Sequence, residues 1–339
     1  FVIYSMKKRG LKNIFSNRAQ ISLFIIVAII LFAGIVGFFL LKGRSVETPV
    51  PAEFRPVYDY YLSCIDADTY NGARLLGQGA GYLENPSFSP GSAYMPFSSQ
   101  LSFMGFGVPY WFYIAGNGVK KEQVPTKENM QVQLNNFLIR NVGRCDFSVL
   151  EEQGYSIILG DVNSAETKIN SGSIDVKIKQ DIIISRGNSS WLGSVHSKGV
   201  NSNLGGLYDL ARKVYDFEKQ EYFLEDYGID TLRLYAPVDG VEISCSPKLW
   251  NSFNVRNDLM NALEANVPQT KIKGDYYVLK NDDNKYFVKD IGENIGSNVN
   301  FIYSRNWPMR MEVWPSENGV MKADPVGLQQ GLGMLGFCY

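Results

Sequence analysis

Few residues of this chain have the type and spacing that chemistry requires. His196 is its one histidine. A zinc-protease helix needs two histidines one turn apart, so that class is excluded. A serine–histidine–acid triad would need His196 as its base. No Gly-x-Ser-x-Gly elbow accompanies it, and Ser194-Val195-His196-Ser197 reads as a solvated loop. Carboxylate pairs and Ser–Lys dyads need no histidine, but no spacing points to either. Gly331-Leu332-Gly333-Met334-Leu335-Gly336 spells a dinucleotide loop, yet proline-containing sequence stands where the preceding strand should be. A tight turn on a sheet is expected there. Asp282-Asp283-Asn284 lacks the alternating acids and terminal glutamate of a calcium loop, and reads as a hairpin turn. No catalytic, cofactor-binding or metal-binding residue is therefore expected.

Four cysteines, Cys64, Cys145, Cys245 and Cys338, are spaced too widely for a metal knuckle. Even in number, they suggest two disulfides. Three pairings are open. Cys64–Cys145 with Cys245–Cys338 is favoured because each would tie a helix end to a neighbouring element; four buried thiols are the alternative. Asn188-Ser189-Ser190 is a glycosylation sequon at a turn.

The segment 85–119 holds no Asp, Glu, Lys or Arg but many aromatics, among them Tyr110, Trp111, Phe112 and Tyr113. Exposed apolar patches of that kind mark contact surfaces, so these four residues form a candidate binding face for a protein, glycan or filament neighbour. The competing reading folds the segment back over the core with its aromatics buried.

The elements that would position these residues follow from hydrophobic period. Val57–Leu76 has helical spacing, with Gly72 and Gly77 leaving a break into two pieces open. Thr126 caps a helix to Val142, with Met130, Leu134, Phe137 and Leu138 on one face and Gly143 as the stop. Short strands follow at Thr167–Ile169, Ile174–Ile178, Ile182–Ser185 and Trp191–Val195, in a meander. A helix near Leu204–Leu224 comes next, and another is expected to start at Ser246-Pro247 and carry Trp250, Phe253 and Met260. The tail returns to strands at Tyr276–Leu279, Tyr286–Val288, Val299–Tyr303 and Met309–Trp314. Helices and strands in blocks predict an α+β fold with an antiparallel sheet.

Ahead of this lies Ile21–Leu41, an uncharged apolar run in which Ser22 is the one polar side chain. A bilayer core needs about 20 such residues in a helix, so one transmembrane helix is expected over 20–42. Lys7, Lys8, Arg9, Lys12 and Arg18 precede it without an acid, which holds the N-terminus in the cytoplasm and sends the rest outside. The expected organisation is a basic leader at 1–19, the span, and a proline-containing stalk at 43–56. An ectodomain then divides into 57–200 and 201–339, with a weak boundary near Asn201. Phe1–Ser5 reads as read-through before Met6, and the apolar end at Tyr339 suggests that the chain continues. With 33 basic and 34 acidic residues there is no electrostatic footprint for nucleic acid.

Arg18-Ala19-Gln20-Ile21-Ser22, running into the apolar helix, resembles an archaeal class III, prepilin-type signal. That resemblance implies cleavage after Ala19 with the helix retained; a plain uncleaved anchor is the alternative. Phe24 stands where bacterial pilins carry glutamate. Further motifs are Ser63-Cys64-Ile65, Gly77-Gln78-Gly79-Ala80-Gly81-Tyr82, Pro109-Tyr110-Trp111, Gly240-Val241-Glu242-Ile243-Ser244-Cys245 and Leu335-Gly336-Phe337-Cys338-Tyr339. From about Gln20 onward the chain resembles membrane-anchored surface proteins of small-genome archaea. The resemblance implies an outside location and carries no activity. The expected function is a non-enzymatic, single-pass surface protein of the cell membrane, acting in adhesion or surface interaction. A type IV pilin-like filament subunit is the second reading, and an extracellular hydrolase a third.

Overall fold

The fold is given by a computed structural model that describes residues 29–32, 49–93, 95–103, 105–236, 249–274, 287–293 and 295–305, with 307, 309, 311, 316–317 and 320–322. It is a mixed α+β fold built on a three-stranded antiparallel sheet. Of the expected span, residues 29–32 are helical, and among the described residues no helix is long and apolar enough to cross a membrane. Arg18, Ala19, Gln20, Ser246-Pro247, Cys245, Asp282-Asp283-Asn284, Tyr276–Leu279, the 331–336 glycine run and Cys338 lie outside the described residues.

Helix α1, Arg55–Gln78, opens with Pro56 in its first turn, where a missing N–H costs nothing. Val57, Tyr61, Ile65, Thr69, Ala73 and Leu76 form its buried stripe. It is one helix, not two pieces. Gly72 sits inside it against Leu134 and Phe137, where a Cβ would collide, so the glycine sets a close helix approach. The partner is α2, Lys127–Asn141, whose N-cap Thr126 accepts from the Asn129 amide. Met130, Leu134 and Leu138 are its buried face. A 3-10 turn, Val142–Arg144, and a one-turn helix α3, Ser148–Glu151, lead into the sheet.

The expected four short strands are three long ones: β5 Ser156–Ile169, β6 Ser173–Arg186 and β7 Ser189–Asn201, in that order. The turns fall where the Asn170 and Gly187 clusters stand. What looked like two strands is β6, whose core-facing positions are Ile174, Val176, Ile178, Gln180, Ile182 and Ile184. Gln180 occupies an aliphatic slot, so the sequence shows a gap where the chain continues in strict period two. Register slips on both sides, between Leu159 and Ser164 of β5 and between Lys179 and Ile182 of β6, mark bulges around it. Helix α2 runs along β5, and α1 along β7. Their inner faces and the sheet make the main core, which also takes in Phe54 and Leu204.

Two small hairpins precede α2: β1 Gln100–Phe103 with β2 Phe106–Pro109, and β3 Phe112–Ile114 with β4 Lys120–Glu122. After β7 the expected helix near Leu204–Leu224 is present, and a second helix that was not expected follows it. Helix α4, Leu204–Glu221, ends at Tyr222, a non-glycine residue with φ +52°, and α5, Phe223–Tyr235, begins at once. Strand β8, Leu249–Asn251, holds Trp250, and α6, Ser252–Asn266, starts after it. The expected helix start at Ser246-Pro247 is thereby corrected. Trp250 is paired in a strand, and the Asn251 side chain accepts from the Phe253 and Asn254 amides, which fixes the helix start at Ser252. Short pairings close the tail: β9 Lys271–Ile272 parallel to β10 Val288–Lys289, and β11 Ser316–Glu317 with β12 Val320–Lys322 and β8. Residues 299–303 are not a strand. A second cluster of buried residues forms here, around Phe223, Ile272 and Ile295.

Candidate functional site

The chain leaves α1 through Gly79, Ala80 and Gly81, with positive φ at Ala80 and Gly81. A Cβ at Gly81 would strike the Pro125 ring, so glycine is required twice over, by φ and by space. This turn presents the Ala80 carbonyl to the Trp111 indole, whose N–H donates to it at 2.9 Å. Around Trp111 the backbone is tied down. The Gln123 amide donates to the Trp111 carbonyl at 2.8 Å, and the Tyr110 amide to Ser99 at 3.1 Å. The Gln123 side chain donates to the same Ser99 carbonyl, and the Tyr82 hydroxyl donates to Gln123.

Helix α4 lies against this turn. The Trp111 ring meets Tyr215 edge-on at 5.6 Å and Tyr208 at 6.0 Å. The Tyr208 hydroxyl donates to Pro125, while the Tyr215 hydroxyl and Lys219 both donate to Glu122 of β4. Between them runs an apolar groove of about 590 Å³. Its floor is one stripe of α4: Leu207, Leu210, Ala211, Val214, Tyr215 and Glu218. Tyr110, Trp111, Val299 and Phe301 also line it, as does Leu224 beside Glu218.

Among the described residues Glu218 is the one acid lining the groove. Its carboxylate accepts from the Leu224 amide at 3.1 Å and so caps α5. Partial burial, then a hydrogen bond to Glu225, push its carboxyl up to about 8. The Tyr215 hydroxyl is raised to about 12 by burial and its bond to Glu122, and burial also raises Tyr110. Near neutral pH both phenols keep their protons. A groove of this size and apolarity with one convergent carboxyl is suited to binding a small molecule or chain segment.

The expected face at Tyr110–Tyr113 is thus divided. Tyr110 and Trp111 are part-buried in the groove. Phe112 and Tyr113 sit on β3 opposite Glu122 and Lys121 and do not line it. The aromatic segment folds back onto α4, yet Phe112 is 44% and Phe106 69% exposed, so its aromatics are buried only in part. The residues missed are those of α4. Their signal was available in the spacing of Leu207, Leu210, Ala211, Val214 and Glu218 on one helical face.

His196 requires a correction. It lies on β7, 1% exposed, not in a solvated loop. Its Nε2 is 2.8 Å from the Gln180 carbonyl, which can only accept, so Nε2 carries the proton. Nδ1 is 3.4 Å from the Tyr58 hydroxyl. The Tyr61 hydroxyl donates to Gln180 Oε1 at 2.6 Å, and Gln180 Nε2 donates to Gly160 at 2.8 Å. Burial and the neighbouring Tyr58 raise the Tyr61 hydroxyl well above its usual value. A buried polar network satisfied in this way rigidifies a core.

Cys64 of α1 and Cys145 form a disulfide, with Cα atoms 6.2 Å apart, as the favoured pairing expected. Asn188 is exposed in the two-residue turn between β6 and β7, where Gly187 has φ +59°. Among the described residues no group of three or more His, Cys, Asp or Glu could hold a metal ion. No protein-family model matches the chain, and no curated protein or solved structure does.

Proposed function

We propose that the chain is a single-pass surface protein of the cell membrane, held by one helix over 20–42, with the α+β domain outside. It acts by contact rather than catalysis, through the aromatic face at Tyr110 and Trp111. The observation that carries this reading is the Cys64–Cys145 disulfide, since such bonds persist in oxidising compartments. The uncharged run of 21–41 and the five basic residues before it supply the anchor and its direction. The resemblance to surface proteins of small-genome archaea points the same way.

Topology reporters test it. A C-terminal alkaline phosphatase fusion, expressed in a bacterial host, is expected to be active, and a green-fluorescent-protein fusion dark. The reverse pattern overturns the outside location. Arg18-Ala19-Gln20-Ile21-Ser22 favours a second reading, a pilin-like subunit processed after Ala19. It requires a mature N-terminus at Gln20 when co-expressed with a prepilin peptidase. An intact leader under those conditions leaves the plain anchor.

A further inference from the structure

We propose that the groove between α4 and the Trp111 turn binds an elongated apolar molecule carrying an ammonium group, with the Glu218 carboxyl as its counter-charge. The proposal rests on the reading of this face as a contact site and names what it takes.

Shape comes first. From Leu207 to Glu218 the stripe of α4 covers twelve residues, eleven steps of the helical rise or about 16 Å. The lining is mostly apolar along that length, with the Glu218 carboxyl at one end. Its other polar groups are largely committed: the Trp111 N–H to Ala80, the Tyr215 hydroxyl to Glu122. A peptide laid there would strand its backbone amides without partners, at a cost of about 1–3 kcal/mol for each. An alkyl or aryl chain has no such groups to satisfy.

Charge comes second. Burial, then the hydrogen bond from the neighbouring Glu225 of α5, raises the Glu218 carboxyl, so it keeps a proton that an exposed glutamate would have released at neutral pH. The basic residues of α4 nearby are already paired, Arg212 with Asp216 at 2.9 Å and Lys219 with Glu122 at 2.8 Å. Neither the Pro109–Trp111 wall nor the stretch 298–301 carries a charge. An ammonium at the Glu218 end replaces that proton and neutralises the carboxylate. An anion there meets a carboxyl and, among the described residues lining the groove, no base.

The test is calorimetric titration of the full chain in lipid nanodiscs, with empty nanodiscs as blank. The probes are 4-phenylbutylamine, 4-phenylbutan-1-ol and 5-phenylvalerate. At pH 8.5 the amine is expected to bind at least tenfold more tightly than the alcohol, and the acid not at all. Below pH 8 its affinity should weaken roughly tenfold per unit, with a proton released on binding. Glu218→Gln should equalise amine and alcohol. Glu225→Gln should keep the preference and move the pH dependence downward, which guards against a misfolded Glu218 variant. Equal binding of amine and alcohol by the unaltered chain, or a preference that survives Glu218→Gln, overturns the ligand class while leaving the groove a contact site. No binding of any probe overturns both. The topology reporters decide the outside location independently.

Discussion

Tyr61, Gln180 and His196 show how a single polar residue placed in an aliphatic series organises its surroundings. Tyr61→Phe keeps the ring but leaves the buried Gln180 Oε1 without its donor. The expected loss is about 1–3 kcal/mol, read as a lower midpoint in denaturant with an unchanged slope; no loss would mean that the network contributes nothing. Glu218 gives the molecule a pH dependence of definite sign. Its carboxyl holds a proton in the folded state up to about 8, whereas an unfolded glutamate has released it. That contribution is complete below the unfolded value and fades as pH rises, so stability falls between about pH 5 and pH 8. Half the carboxyl is in water, which limits the change to about 1–2 kcal/mol. Melting curves of Glu218→Gln should be flatter over that window; an unchanged slope would exclude the residue as its source. At this scale the sequence was a poor guide. His196 has polar neighbours in the chain and aromatic ones in space, and only strand pairing with Ile178 brings it into the core.

Elements were more legible than their joints. Thr126 and the apolar face of α2 stood in plain period, as did the turn residues of the sheet. The joints depend on contacts distant in sequence. Helix α4 docks by its first turn on the β5–β6 hairpin, with the Gly206 amide donating to Ser171 at 3.0 Å. A Cβ at Gly205 would run into the Asn170 carbonyl. Gly205→Ala therefore improves helix propensity yet must push a backbone aside, and a net loss of about 1–3 kcal/mol is expected. A stabilised variant in thermal melts would mean that α4 is free to shift. Nothing in the run Leu204-Gly205-Gly206 distinguishes this docking from an ordinary flexible helix start. The break at Tyr222 is similar. The pattern of Leu204–Leu224 runs through it, and the α5 cap that Glu218 supplies is visible only in space.

At the scale of the molecule, the α+β class followed from blocks of one period, which survive local misreading, whereas the even cysteine count left three pairings open and Cys64–Cys145 was only the favoured one. The division of buried residues into one cluster reaching from Phe54 to Leu204 and another around Phe223 followed from neither. Replacing Cys64 and Cys145 together by serine should cost about 2–4 kcal/mol, seen as a drop in melting temperature under non-reducing conditions; a smaller drop would mean that the loop is already closed by packing. The same bond has a mechanical consequence. It encloses a sequence separation of 81 residues, which includes the end of α1, the Trp111 turn and all of α2. Stretched out, that much chain would reach roughly 270–290 Å. Under tension applied through the N-terminal side, the crosslink passes force from Cys64 directly to Cys145, and none of that length can be drawn out. The wall of the groove that bears Trp111 is thus held at a fixed tether length, however hard the chain is pulled.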